Sequence, residues 1–112
     1  MKWFARSLCL SLLVVSYAPA FADQKVTTQI TMVFTGHQKD QFGIHTVAPT
    51  INPAHCPLHD SGYATDSDQP GFHTFYAAAL LAFAERADVE VVVDDEGCVA
   101  DRPRLIGLNI LR

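Results

Sequence analysis

At 112 residues the chain has room for one domain, and its formal charge of −4 argues against a phosphate backbone as partner, which needs clustered Lys and Arg. All 12 acidic residues but only six of the eight basic ones follow residue 22, so residues 23–112 carry a charge of −6. No nucleic-acid partner is expected.

Residues 1–22 have the three parts of a secretory signal peptide. Lys2 and Arg6 give a basic start, Leu8 to Tyr17 is an apolar run shorter than the roughly 20 residues of a membrane-spanning helix, and Ala20-Phe21-Ala22 is a small-x-small cleavage site. Cys9 lies at the start of the apolar run, which does not suit a lipoprotein. The mature chain is expected to begin at Asp23, as a single small secreted or periplasmic domain over 23–112 without stable membrane insertion.

A domain of this size buries only about 60 to 65% of its unfolded surface and gains from a covalent tie or from self-association. Cleavage leaves two cysteines, Cys56 and Cys98, in a chain bound for an oxidising compartment, so their pairing is expected. Such a bond closes a loop of about 43 residues, worth on the order of 4 kcal/mol in the chain-entropy description.

The mature chain opens with Val26, Thr28, Ile30, Met32 and Phe34 alternating with Thr27, Gln29, Thr31, Val33 and Thr35, which predicts a strand over 25–35 with the first set on a mostly apolar face and the second on a mostly polar one. Turn chemistry at 36–40 leads to a hairpin partner in which Phe42, Ile44 and Thr46 alternate with Gly43, His45 and Val47. Pro49, Pro53 and Pro57 break the pattern, so 48–60 reads as an irregular loop. A short third strand is expected around Tyr63. Ser67, Asp68 and Gln69 are N-cap candidates and Pro70 suits a first helical turn.

The helix that follows carries Phe72, Phe75, Tyr76, Ala79, Leu80 and Phe83 at spacings of three and four, one apolar stripe destined for the core, and should end near Arg86. Val89, Val91 and Val93 then form the buried face of a strand. Asp95, Glu96 and Gly97 read as a polar turn, and Leu105 to Leu111 as the last strand with Ile106, Leu108 and Ile110 on one side. The order β-β-β-α-β-β predicts an α+β, mainly β fold: a small antiparallel OB-like barrel, or an open sheet, with one helix packed on it.

Several segments together resemble a group of small exported bacterial proteins: Asn52-Pro53-Ala54-His55-Cys56, Phe75-Tyr76-Ala77-Ala78-Ala79-Leu80-Leu81-Ala82, Val89-Glu90-Val91-Val92-Val93, Gly97-Cys98 and Arg104-Leu105-Ile106-Gly107-Leu108-Asn109-Ile110. The layout is similar to the B subunits of subtilase-cytotoxin-type AB5 toxins. That likeness implies an OB-fold, assembly of identical subunits and binding of sialylated glycans.

Reactive chemistry is sparse. His55, Cys56, His59 and Asp60 cluster in six residues of types that bind zinc or copper, but Cys56 is assigned to Cys98 and Pro57 opposes the helix on which a spacing of four would converge. Solvated loop histidines are the better reading, and His55, His59 and Asp60 become candidate contacts of a binding loop. His37, His45 and His73 are dispersed over turn, strand and helix. Ser61 and Ser67 lie in no glycine elbow. The carboxylates at Asp66 and Asp68, and at Asp94, Asp95 and Glu96, suit a helix start and a solvated turn. No catalytic residue, metal or cofactor is assigned. The expectation is a non-enzymatic binding domain for a protein or glycan, with self-association possible; the alternative is a periplasmic inhibitor or envelope-stress protein docking through 48–60.

Overall fold

The computed structural model describes residues 14–15, 23–36 and 38–112. The other residues of 1–22, where a signal peptide is expected, and His37 lie outside the described residues. The elements are β1 (Gln24–Thr35), β2 (Gln41–Thr46), β3 (Tyr63–Asp66), α1 (Phe72–Glu85), β4 (Asp88–Val99) and β5 (Arg102–Ile110).

The strands close into a barrel in the order β1-β2-β3-β5-β4, with α1 between β3 and β4, the OB-like arrangement. β1 makes closure possible by serving two partners. Its first half, Gln24 to Gln29, pairs antiparallel with Val93 to Asp88, and its second half, Ile30 to Thr35, pairs antiparallel with Thr46 to Phe42. A register shift between Ile30 and Met32 separates the halves. The extra residue bends the strand and switches its faces: Thr28 and Ile30 are buried before the bulge, Val33 packs on the core after it, and Met32 is half exposed. The strict alternation expected from Val26 to Phe34 therefore fails at Thr31.

β2 and β3 form an antiparallel pair, and β3 meets β5 in parallel at Ala64 and Arg104. That seam is the shortest pairing in the barrel. β4 and β5 form the longest hairpin, from Val89 opposite Ile110 to Val99 opposite Arg102. The polar turn expected at 95–97 is a bulged stretch of β4, and the chain reverses at Ala100 and Asp101, both with left-handed φ, 48° and 63°. A register shift between Val92 and Val93, which leaves Ile106 as an extra residue in β5, moves the core positions of that strand. Leu105 and Leu108 are buried while Ile110 is 41% exposed, so the expected 106, 108 and 110 face is replaced by 103, 105 and 108.

The helix begins one turn later than its cap candidates suggest. Asp66 accepts from Asp68 and Gln69, and Phe72 N–H donates to the Gln69 carbonyl, so Ser67 to Pro70 form successive turns. The residue at the N-cap is Gly71, at φ 86°, where a side chain would also press on the Phe75 ring. The helix ends at Glu85 with Arg86 left-handed and Ala87 N–H donating back to the Ala82 carbonyl.

Its buried face differs from the expected stripe. Phe72, Ala79 and Ala82 are buried and Phe75 packs on the core, whereas Leu80 and Phe83 are 43% and 45% exposed. Two alanines at the contact let the helix backbone approach the barrel closely, and that rotates the leucine and phenylalanine outward. Inside, Val89, Val91, Val93, Ile44, Leu105, Phe42 and Tyr63 are almost completely buried, each contributing roughly 1.5–3 kcal/mol of transfer free energy.

Candidate functional site

Three surfaces gather chemistry. The first is the 48–60 loop, which is irregular in backbone but well anchored. Asn52 folds it on itself, its Oδ1 accepting from Cys56 N–H at 2.8 Å and its Nδ2 donating to the Cys56 carbonyl at 2.9 Å. Ile51 N–H donates to the Tyr63 hydroxyl at 2.9 Å, and Leu58 N–H to the Asp101 carbonyl at 2.8 Å. Cys56 is buried and bonded to Cys98, with Cα atoms 5.8 Å apart. The expected disulfide is present.

These anchors leave the tip of the loop in solvent. His55 adopts a left-handed φ of 55°, and His59 Nε2 lies 3.3 Å from Asp60 Oδ1 with both side chains well exposed. Among the described residues no three His, Cys, Asp or Glu side chains come together as a metal set. His73 lies on the helix, whereas His45, on β2, lines a shallow pocket with Asp60 and residues 46–50.

The alternation along β1 predicts Phe34 in the core, and the bulge turns it to the outer face of the barrel. Its ring lies over Gly43, directly opposite on β2, where any side chain would collide with the ring and with the Tyr63 carbonyl. His45 meets the ring edge-on at a centroid distance of 5.4 Å, and the Arg102 guanidinium sits 5.0 Å from its centroid. Arg102 is itself fixed by donating to the carbonyls of Ser61 at 2.9 Å and Ala100 at 3.3 Å. Arg104, further along the same face, lies 3.6 Å from Asp66 and 4.0 Å from Asp94, each partly buried. The sequence signal that points here is the lone glycine paired across the hairpin with an aromatic.

The third surface is a cleft of about 280 Å³ between the β1–β2 turn and the first turn of α1. Phe42, Phe72 and Tyr76 form its floor and inner wall, with Phe42 5.6 Å from Phe72 and 5.1 Å from Tyr76 between ring centroids. Thr35, Lys39, Asp40, Gln41 and His73 line its rim. The rim cannot be read from sequence spacing because it joins the β1–β2 turn to α1, and neither can the place of Arg102 on the Phe34 face, because it comes from β5.

One titratable group inside the barrel is displaced from its ordinary behaviour. Burial raises the Tyr63 phenol above its usual value of 10.0, opposed by the bond it accepts from Ile51. It serves as an anchor between the barrel core and the 48–60 loop. No helix among the described residues is long and apolar enough to cross a membrane.

No protein-family model, curated protein or solved structure matches the chain.

Proposed function

We propose that the mature chain is an exported, non-catalytic binding module that works as an assembly of identical subunits, in the manner of the toxin B subunits its layout resembles. The observation behind this is the outer face of α1. From Thr74 to Ala84 the helix has no charged residue, and Leu80, Leu81 and Phe83 are 43%, 55% and 45% exposed. A helix apolar on all sides belongs in an interior. At 14 residues it is too short to span a bilayer, which takes roughly 20. Among the described residues the closed barrel offers no long free sheet edge for strand addition, which favours the helix face for contact with a second copy. Export is supported by the Cys56–Cys98 bond, which persists in oxidising compartments, and the charge of −6 favours a protein or glycan ligand over nucleic acid.

Sedimentation equilibrium of the mature protein tests the reading. An oligomer in the micromolar range is expected, reduced to monomer by Leu81→Glu with the fold intact. A wild-type monomer at every concentration, with no ligand on a glycan array, removes it.

A second reading is supported by the anchored loop. A segment pre-organised by Asn52, Tyr63 and the disulfide, with Leu58 41% exposed at its tip, has the character of a protein-docking element. Capture from periplasmic extract with His55, Leu58 and His59 replaced by Ser would lose the partner; an unchanged set of captured proteins counts against it.

A further inference from the structure

We infer that the cleft between the β1–β2 turn and the start of α1 is a binding site for a single neutral sugar ring. This rests on reading the chain as a binding module, but not on its assembly.

The size and the lining select this class. At about 280 Å³ the cleft falls at the low end of small-molecule sites, which suits one ring and not an extended chain. Tyr76, half-buried against Phe42, gives an aromatic wall for the C–H face of a pyranose. Around it the rim mixes hydrogen-bonding types. Lys39 and the Gln41 amide donate, the Asp40 carboxylate accepts, and Thr35 and His73 do either. Hydroxyl groups are both donors and acceptors, so a polyol is the ligand that uses all of them.

Charge argues for a neutral ring. Lys39 and Asp40 are adjacent and opposite, so the rim has no resolved positive field, and residues 23–112 carry −6 overall. A phosphate or carboxylate ligand would want a cluster of cations, and among the described residues the rim offers Lys39 beside Asp40. An extended peptide would want an open strand edge, which the closed barrel does not give there.

The test is an amide-shift titration of isotopically labelled mature protein with methyl β-galactopyranoside, methyl α-mannopyranoside and the methyl glycoside of N-acetylglucosamine, with N-acetylneuraminic acid as the anionic comparison. At least one neutral glycoside should give saturable, millimolar binding with shifts confined to Thr35, Gly36, Gln41, His73 and Tyr76. Lys39→Ala and His73→Ala, both at exposed positions that leave the fold unchanged, should each weaken it about tenfold. Saturable shifts on the Phe34 and His45 face, preference for the anionic sugar, or no saturable response to any of the four overturns the proposal. Sedimentation of the same samples separates the two readings: a monomer that binds ends the assembly and keeps the cleft, and an oligomer that does not bind does the reverse.

Discussion

Tyr63 links the core to the loop that carries the disulfide. Its ring is fully buried, yet its hydroxyl accepts the Ile51 N–H at 2.9 Å, so one side chain serves both as packing and as a tether. Burial raises its pKa above 10.0, which means the unfolded chain releases the phenol proton at a lower pH than the folded one. The stability it contributes is therefore whole below pH 10 and is lost as pH rises through the folded value. Urea denaturation across the alkaline range should show that decline starting near pH 10. Tyr63→Phe should remove this component of the decline and cost about 1–3 kcal/mol at neutral pH, because Ile51 N–H loses its partner. An alkaline profile identical in the variant would place the transition on another group.

The β4–β5 hairpin shows a different balance. Val99 pairs with Arg102, so Ala100 and Asp101 form a two-residue turn, and both are left-handed. That is the backbone of a type I′ turn, which normally asks for Asn-Gly because a Cβ is disfavoured there. Replacing the pair by Ala100→Asn with Asp101→Gly keeps the Asp101 carbonyl that receives Leu58 N–H, and should raise stability by about 1–2 kcal/mol in thermal or urea unfolding. No gain would mean that the present pair is relieved elsewhere.

The same turn explains part of what the sequence left hidden. Val-Ala-Asp-Arg carries no turn signature, so the reversal was expected at Asp95 to Gly97, where the composition is polar. Elements with a simple period are legible: β2, the helix and the Val89, Val91, Val93 face, whereas β3, buried at three successive positions, has no period to read. Features produced by a single extra residue are not. The bulge at Thr31 and the shift in β5 leave composition unchanged while exchanging the two faces, which is why Phe34 and Ile110 were placed inside. The candidate loop residues were legible as a loop, and their dispersal in solvent follows from anchors at Asn52, Cys56 and Leu58 that only tertiary contacts supply.

Across the barrel the weakest link is the β3–β5 seam, and the disulfide belongs to it. Only Ala64 and Arg104 pair in parallel there, against six successive pairs between β1 and β4. Parallel pairing is no stronger per residue than antiparallel, so closure at this point needs other support. It comes from contacts that reach from the chain just before β3 to the β4–β5 hairpin: Cys56 to Cys98, Leu58 N–H to the Asp101 carbonyl, and Arg102 to the Ser61 carbonyl. The covalent bond is thus a bracket across a thin seam as well as a constraint on the unfolded chain. Reduction should act on this region first. Native-state hydrogen exchange of the oxidised protein should show the slowest amides in β4 around Val91, with protection near Leu58 and Ala64 lower but substantial. After reduction, global stability should fall by about 4 kcal/mol. The seam amides should lose more protection than that, because they open locally once the bracket is gone. A uniform loss over β3, β4 and β5 would mean that the barrel opens only as a whole and that the disulfide acts on the unfolded state alone.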